Sequence, residues 1–293
     1  MVINCLSVDV EDYYQVSAFE NLISYEDWDK YPSRVEYSTK RVLDLFENYN
    51  VKATFFVLGW IANKFPSLVK LIHSQGHEIA SHGYRHSLIY NQTPAEFQKD
   101  VQKTKHILED ITGVPIKGYR GASFSITKKS LWAIEILAEE GFLYDSSIFP
   151  VYHDRYGIPS APSSPYEIRI SEERKIVEIP PLCKNVFRKN FPLGGGGYLR
   201  LFPVGIIMRE ISKKNSEGKS AIIYFHPWEL DPNQPFIDSG SRITNLRHRI
   251  GLKKMDIKLK KILSKHRFST FSHLLDEINS GKIDILRIKI NDI

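Results

Sequence analysis

The chain has 293 residues, 42% of them hydrophobic and 25% charged, with a formal net charge of +6. That length excludes a peptide hormone or a minimal binding module, and a core of the size it allows needs no disulfide staples. The positive excess is too mild to indicate a nucleic-acid partner, and two cysteines, Cys5 and Cys183, without a Cys-x-x-Cys pair read as reduced, buried thiols.

In chain order, the apolar, β-branched run 2–10 predicts a buried strand. A helix follows over 38–48 behind a Ser/Thr cap, then a strand over 52–57, a helix over 65–75 closed by Gly76 and a strand over 77–81. The alternation continues with a helix over 94–111, a strand over 116–120, a helix over 128–140 ended by Gly141 and a strand over 142–145. Strands and helices in that rhythm imply parallel strands with helical crossovers, and so an α/β layer or barrel. Residues 150–192, rich in Pro, Tyr and Ser, break the rhythm, and four glycines follow at 194–197; a long irregular excursion of this kind carries function or covers a site. A helix over 203–215, a strand over 220–225, a basic helix over 253–266, a helix over 270–278 and a strand-like end over 283–290 complete the reading.

From Gly251 onward there are ten Lys and Arg against five Asp and Glu, so nearly all of the net charge sits in the last 43 residues. Two readings suit it: a solvated helical face, or a surface for an anionic polymer or membrane headgroups. The first residues meet Asp9 too early for a secretory apolar region, and no window holds 18 uninterrupted apolar residues. The expectation is a cytoplasmic protein without a transmembrane segment, or one held peripherally at the inner face of a membrane.

Four polar clusters lie at or just beyond the C-terminal ends of predicted strands: Asp9-Val-Glu11-Asp12, His82-Gly-Tyr-Arg-His86, Arg120-Gly-Ala-Ser-Phe124 and His226-Pro-Trp228-Glu229; Asp145 closes a fifth strand. That rim is where parallel α/β folds build their sites. His82 and His86 can converge on one cation, and two imidazoles plus one carboxylate with open positions is the ligand set of catalytic zinc, cobalt or iron(II). Three crowded carboxylates at the end of an apolar strand call for a cation or an arginine. One of them can bind a metal while another accepts a proton. The other histidines, His248 among them, read as ordinary.

The set resembles the polysaccharide deacetylases of carbohydrate esterase family 4, the NodB-homology fold, over about residues 3–230. Asp9-Val-Glu11-Asp12-Tyr13 is similar to the first motif of deacetylases from exopolysaccharide gene clusters, and the Gly194–Arg200 and His226–Pro232 runs are similar to the same subgroup. The resemblance implies Asp9 as base, Glu11 or Asp12 with His82 and His86 as metal ligands, and Arg120 steering Asp9. It further implies the Phe124 N–H facing the oxyanion, and His226 as general acid held by Asp145. Tyr13, Tyr14, Phe124, Tyr198 and Trp228 are candidates to stack on a sugar.

The expected architecture is a distorted (β/α) barrel of NodB-homology type, with a catalytic domain over 1–232 and a helical, basic extension over 233–293 packed on it. The expected function is removal of N-acetyl groups from a sugar in a polysaccharide or lipid-linked saccharide, with a divalent metal, zinc before cobalt or iron. Its expected partner is that N-acetylated glycan and not a nucleic acid. The alternatives are an amidase acting on small linear or cyclic amides and a glycan-binding pseudoenzyme; the histidine pair speaks against the first and the separate acid and base against the second.

Overall fold

Every residue of the first strand, β1 (Asn4–Val10), is buried, as a strand covered on both faces must be. The computed structural model describes residues 2–187 and 189–293. From β1 the chain alternates through α1 (Val35–Asn48), β2 (Thr54–Val57), the short helix α2 (Gly59–Lys64) with α3 (Pro66–Ser74), β3 (Glu78–Ser81), α4 (Pro94–Thr112), β4 (Gly118–Tyr119), α5 (Trp132–Glu139) and β5 (Tyr144–Asp145). Two hairpins follow, β6 (Tyr166–Arg169) with β7 (Lys175–Glu178) and β8 (Cys183–Val186) with β9 (Lys189–Pro192), then α6 (Gly196–Leu201), α7 (Val204–Ser216) and β10 (Ile222–Phe225). The last segment carries α8 (Arg242–Arg249), α9 (Leu252–Leu263), β11 (Phe268–Ser269), α10 (Phe271–Asn279) and β12 (Leu286–Lys289).

The main sheet runs β10-β1-β2-β3-β4-β5-β7-β6-β12, parallel at every step except between β6 and β7. Past β7 the chain continues to Leu182, whose N–H donates to the Ile222 carbonyl (2.9 Å), while the Tyr224 N–H donates to the Gly194 carbonyl (2.8 Å). Those bonds bring the β7 side of the sheet round to β10 and close a distorted barrel. Gly195 is required at the closure, because a Cβ there would lie 2.2 Å from the Tyr224 carbonyl oxygen. β11 pairs with the start of β1, and β12 pairs with β6, so residues after 232 supply strands at two places in the main sheet.

The alternating first half matches expectation to within a few residues at each boundary, with two exceptions. Helix α1 starts at Val35, not at Ser38, and both Ser38 and Thr39 are buried inside it. Its cap is remote: Asp12 Oδ2 accepts from the N–H groups of Arg34 (2.8 Å) and Val35 (3.1 Å) and from Ser33 Oγ (2.6 Å). Helix α2 is one short turn that the sequence reading did not resolve. Helix α4 begins as its sequence suggests, with Thr93 and Glu96 in a reciprocal capping box.

The segment 150–192 is not irregular throughout, since it holds the four strands β6 to β9; each is four residues long, too short for its alternation to stand out. Helix α8 has no buried residue, and its two apolar side chains, Ile243 and Leu246, are too few over eight residues to reveal it. In the core beneath the barrel, Phe46 meets Phe55 and Phe225, and His77 sits against Phe46 (5.7 Å) and Phe55 (5.0 Å). The His77 Nδ1 accepts from the Ala53 N–H (3.2 Å), and burial, with Lys52 adding to it, pushes the imidazole down to about 4.

Candidate active site

The C-terminal ends of β1 and β3 bring Glu11, His82 and His86 together, with one ligand atom from each lying within 4.8 Å of the others. Among the described residues the Glu11 Oε2 is buried without a hydrogen-bond partner, and it lies 3.0 Å from the His86 Nε2. The His82 Nδ1–H donates to the Arg120 carbonyl (2.7 Å), which leaves Nε2 as the free lone pair. Burial lowers both imidazoles, keeping them in the neutral, ligating state, and pushes Glu11 up to about 7 against the pull of His226. An orphaned buried carboxylate oxygen facing two neutral imidazoles fits a divalent cation. Of the two acidic candidates, only Glu11 belongs to this set. Asp12 is spent on capping α1, because the chain turns after β1 and sends consecutive side chains apart.

Beside this set, the fully buried Arg120 donates from NH1 to Asp9 Oδ1 (2.6 Å) and Ser7 Oγ (2.8 Å), and from NH2 to Ser146 Oγ (2.9 Å). Its guanidinium lies 4.1 Å from the centre of the Phe56 ring, so its orientation is fixed from two directions. The loop after β4 holds Ser123 and Phe124 at φ 51° and 54°, and His86 also has a positive φ of 53°. These left-handed non-glycine residues cluster at the site, as stored backbone strain does. The Phe124 N–H is not available to an oxyanion, since it donates to the Gly121 carbonyl (3.1 Å) within the turn. Ser123 lines the cavity instead, and no hydrogen bond engages its N–H among the described residues.

The imidazole of His226 lies with Nε2 3.4 Å from Glu11 Oε1 and Nδ1 3.4 Å from Glu229 Oε2. The second contact is electrostatic rather than a hydrogen bond, since Nδ1 has no well-aligned acceptor. Burial opposes charge on this ring, but Glu11, Glu229 and Asp9 outweigh it and raise His226 to about 9. Glu229 is itself fully buried; Arg200 Nε donates to it at 2.6 Å, and against burial Arg200 and His226 hold it down at about 2. Asp145, expected to hold His226, turns elsewhere. It accepts from Ser147 Oγ (2.6 Å) and N–H (3.1 Å) and shares a buried position with Glu178, which burial and Asp145 together push well above the usual carboxylate range. The carboxylate beside His226 comes from three residues along the chain, on the turn that follows β10.

The aromatic residues divide differently from expectation. Tyr13 is fully buried, with its hydroxyl donating to the Pro32 carbonyl (3.3 Å), and is a core residue; Tyr14 stacks on Tyr31. Trp228 stacks with two imidazoles, His226 (5.3 Å) and His248 (4.5 Å), with its N–H 3.4 Å from Glu11 Oε1. The Arg200 guanidinium also lies 5.0 Å from its ring, which is 4% exposed, so Trp228 positions catalytic groups and offers no platform to a sugar. Phe124 lines the cavity edge-on to Tyr224 (4.9 Å), and Tyr198, half-buried, lines it as well. His248 is no ordinary surface histidine, and its role was hidden because it sits on α8, far along the chain. The cavity that unites these groups is about 410 Å³ and also takes in Ser17, Arg155, Tyr156 and Arg247.

Residues 23–139 match the family described as Polysaccharide deacetylase, and 146–276 match a family described as Domain of unknown function (DUF3473). A peptidoglycan-N-acetylglucosamine deacetylase of Bacillus cereus is 39% identical over 98 residues, 33% of this chain and 36% of that protein. The chain spans about two fifths of the length of the first curated relatives it matches. Among solved structures, one from Mycobacterium smegmatis, provisionally assigned as a polysaccharide deacetylase, superposes with a TM-score of 0.62 over 98% of this chain and 94% of the other, at 19% identity. An allantoinase, PuuE, gives 0.62 over 95% and 90% at 16% identity. At such identities these structures establish the fold alone. Glu11, His82, His86, Asp9 and Arg120 gather at one end of that fold, and the match to the polysaccharide deacetylase family covers residues 23–139 of the chain.

Proposed function

We propose that the protein is a metal-dependent N-deacetylase acting on an N-acetylated sugar of a polysaccharide or a lipid-linked saccharide. The observation that carries this reading is one cavity where Glu11, His82 and His86 converge, with the Asp9–Arg120 pair on one side and the His226–Glu229 pair on the other. Support comes from the relative that acts on peptidoglycan N-acetylglucosamine and from the match over 23–139. The first-motif run Asp9-Val-Glu11-Asp12-Tyr13 favours a place in exopolysaccharide synthesis.

Two imidazoles and one carboxylate suit zinc before cobalt or iron(II). A divalent cation there supplies the Lewis acidity that makes water nucleophilic near neutral pH. Asp9 takes the proton of the attacking water; Arg120 holds its Oδ1, which leaves Oδ2 for that transfer. The Ser123 N–H is the amide free to receive the developing oxyanion, a contribution that typically amounts to about 10²–10³ in rate. His226 passes its proton to the departing amine nitrogen, and Glu229 stabilises the imidazolium beforehand. Acid and base are thus held in opposite protonation states by separate partners.

Acetate release from N-acetylated chitooligosaccharides by the metal-loaded chain tests the reading. Asp9→Asn and His226→Ala are expected to lower turnover by about 10³ or more while fold and metal content persist. Near-wild-type release by either variant would falsify the assigned roles. Release from a small cyclic amide such as allantoin, with none from the oligosaccharides, would replace this reading by the amidase one.

A further inference from the structure

Next to the catalytic cavity lies a second one, of about 590 Å³, where α6 ends and α9 begins. Arg200, Arg249, Lys253, Lys254 and Lys258 line it, and among the described residues no Asp or Glu does. Two of these five are already engaged. Arg200 pairs with Glu229, and the Lys258 Nζ donates to the carbonyls of Leu199, Arg200 and Phe202. Arg249, Lys253 and Lys254 have no carboxylate partner among the described residues, and Arg249 rests on the ring of Phe236 (5.6 Å). The crowding is felt by Lys258, which burial first, then Lys254 and Arg200, push below the usual lysine range.

We propose that this cleft binds a phosphate or diphosphate group. Several uncompensated cations around one concavity match a multiply charged oxyanion better than a single carboxylate, and a phosphate offers both about two charges and several acceptor oxygens. The cleft is preformed. Gly251, at φ 78°, packs the start of the twelve-residue helix α9 against α6 so tightly that a Cβ would lie 2.7 Å from the Arg200 carbonyl oxygen. The first turn of α9, Leu252 to Lys254, lines the cleft and adds the positive end of its dipole to the side chains.

The placement gives the site its meaning. Arg200 lines both cavities, and the end of α8 separates them, with Arg247 and His248 on the catalytic side and Arg249 and Ile250 on the other. A sugar in the first cavity and a phosphate in the second are neighbours across one arginine. That the phosphate is attached to the acetamido sugar rests on the deacetylase reading; the phosphate site itself does not.

The test is calorimetric titration of inorganic phosphate and N-acetylglucosamine 1-phosphate into the full metal-loaded chain. It is repeated on the triple variant Arg249→Glu/Lys253→Glu/Lys254→Glu, with co-sedimentation on phosphatidylcholine vesicles with and without phosphatidylglycerol. Wild-type binding should weaken as salt screens it and fall about tenfold or more in the triple variant. Circular dichroism and acetate release from neutral chitooligosaccharides should stay unchanged. Loss of the soluble ligands assigns the site to a saccharide phosphate. Loss of anionic-vesicle binding alone assigns the same chemistry to a lipid headgroup. Phosphate and vesicle affinities that are absent, or equal in both proteins, overturn the proposal, and phosphate retained by the variant belongs to the metal pocket. Acetate release is scored separately, so a failed deacetylase reading leaves the phosphate result standing.

Discussion

Each side of the cavity is organised by a buried carboxylate–arginine pair, and the two pairs are built from different parts of the chain. Asp9 and Arg120 come from the ends of β1 and β4, inside the alternating barrel half. Glu229 and Arg200 come from the turn after β10 and from α6, and Arg200 also accepts responsibility for α8, donating to the carbonyls of Arg247 (3.3 Å), His248 (2.6 Å) and Ile250 (3.0 Å). The barrel alone completes the base side. On the acid side a segment beyond residue 240 packs in as well, with His248 stacked on Trp228, which itself stacks on His226. The Polysaccharide deacetylase match ends at residue 139, so the acid side lies wholly in the region that matches the family of unknown function.

The largest expected effect separates the two pairs. Arg120→Met and Arg200→Met each strand a buried carboxylate and should each destabilise the fold by about 3–5 kcal/mol in urea unfolding. Their local consequences should differ. Arg200→Met releases the last carbonyls of α8, so amide exchange over 242–249 should quicken markedly, whereas Arg120→Met should leave it unchanged. Adding Glu229→Gln to Arg200→Met should recover part of the loss, since the stranded charge disappears. Unchanged α8 exchange in Arg200→Met would show that the two sides are not built differently.

The contrast also marks where sequence was informative. The barrel half was legible because its strands are apolar runs and its helices carry amphipathic faces between glycine stops, and its site residues sit on strand ends where fold logic puts them. Spacing favours Glu11 over Asp12 only through its side of the strand, because the deciding fact is a bond that Asp12 accepts from backbone more than twenty residues away. Asp145 was misplaced for a similar reason: a motif position fixes a side chain's address but not the direction in which a crowded interior turns it. His248 and α8 were invisible, since α8 buries none of its residues, leaves its apolar Ile243 and Leu246 exposed, and is held by Arg200 rather than by a buried face.

A smaller effect tests whether the halves unfold as one. His77 is held at about 4 in the fold against about 6.5 in an unfolded chain, so between those values the unfolded chain binds the extra proton. Stability is therefore fully present above about pH 6.5 and declines as pH falls towards 4, by up to about 3 kcal/mol. His77→Phe should flatten that decline while losing the bond from the Ala53 N–H. Because His77 packs on Phe46 and Phe46 on Phe225 of β10, one transition should shift with pH. Three tryptophans, Trp28, Trp60 and Trp132, report from the barrel half and Trp228 from the acid side. A Trp228 signal that ignores pH while the others move would split the molecule at that boundary.

The smallest effect calibrates the rest. Thr93 and Glu96 cap α4 on the barrel's outer layer, exposed and remote from both arginine pairs. Thr93→Ala should lower stability by about 1 kcal/mol, the usual loss for a cap. It should leave turnover and α8 exchange untouched, because nothing in the cap reaches Glu229 or Arg200. A matching loss of turnover in Thr93→Ala would mean that activity follows overall stability. In that case falls of turnover, should the arginine variants show them, would say nothing about how each side of the cavity is held. A stability loss without a loss of turnover leaves those falls attributable to Asp9 and His226 themselves.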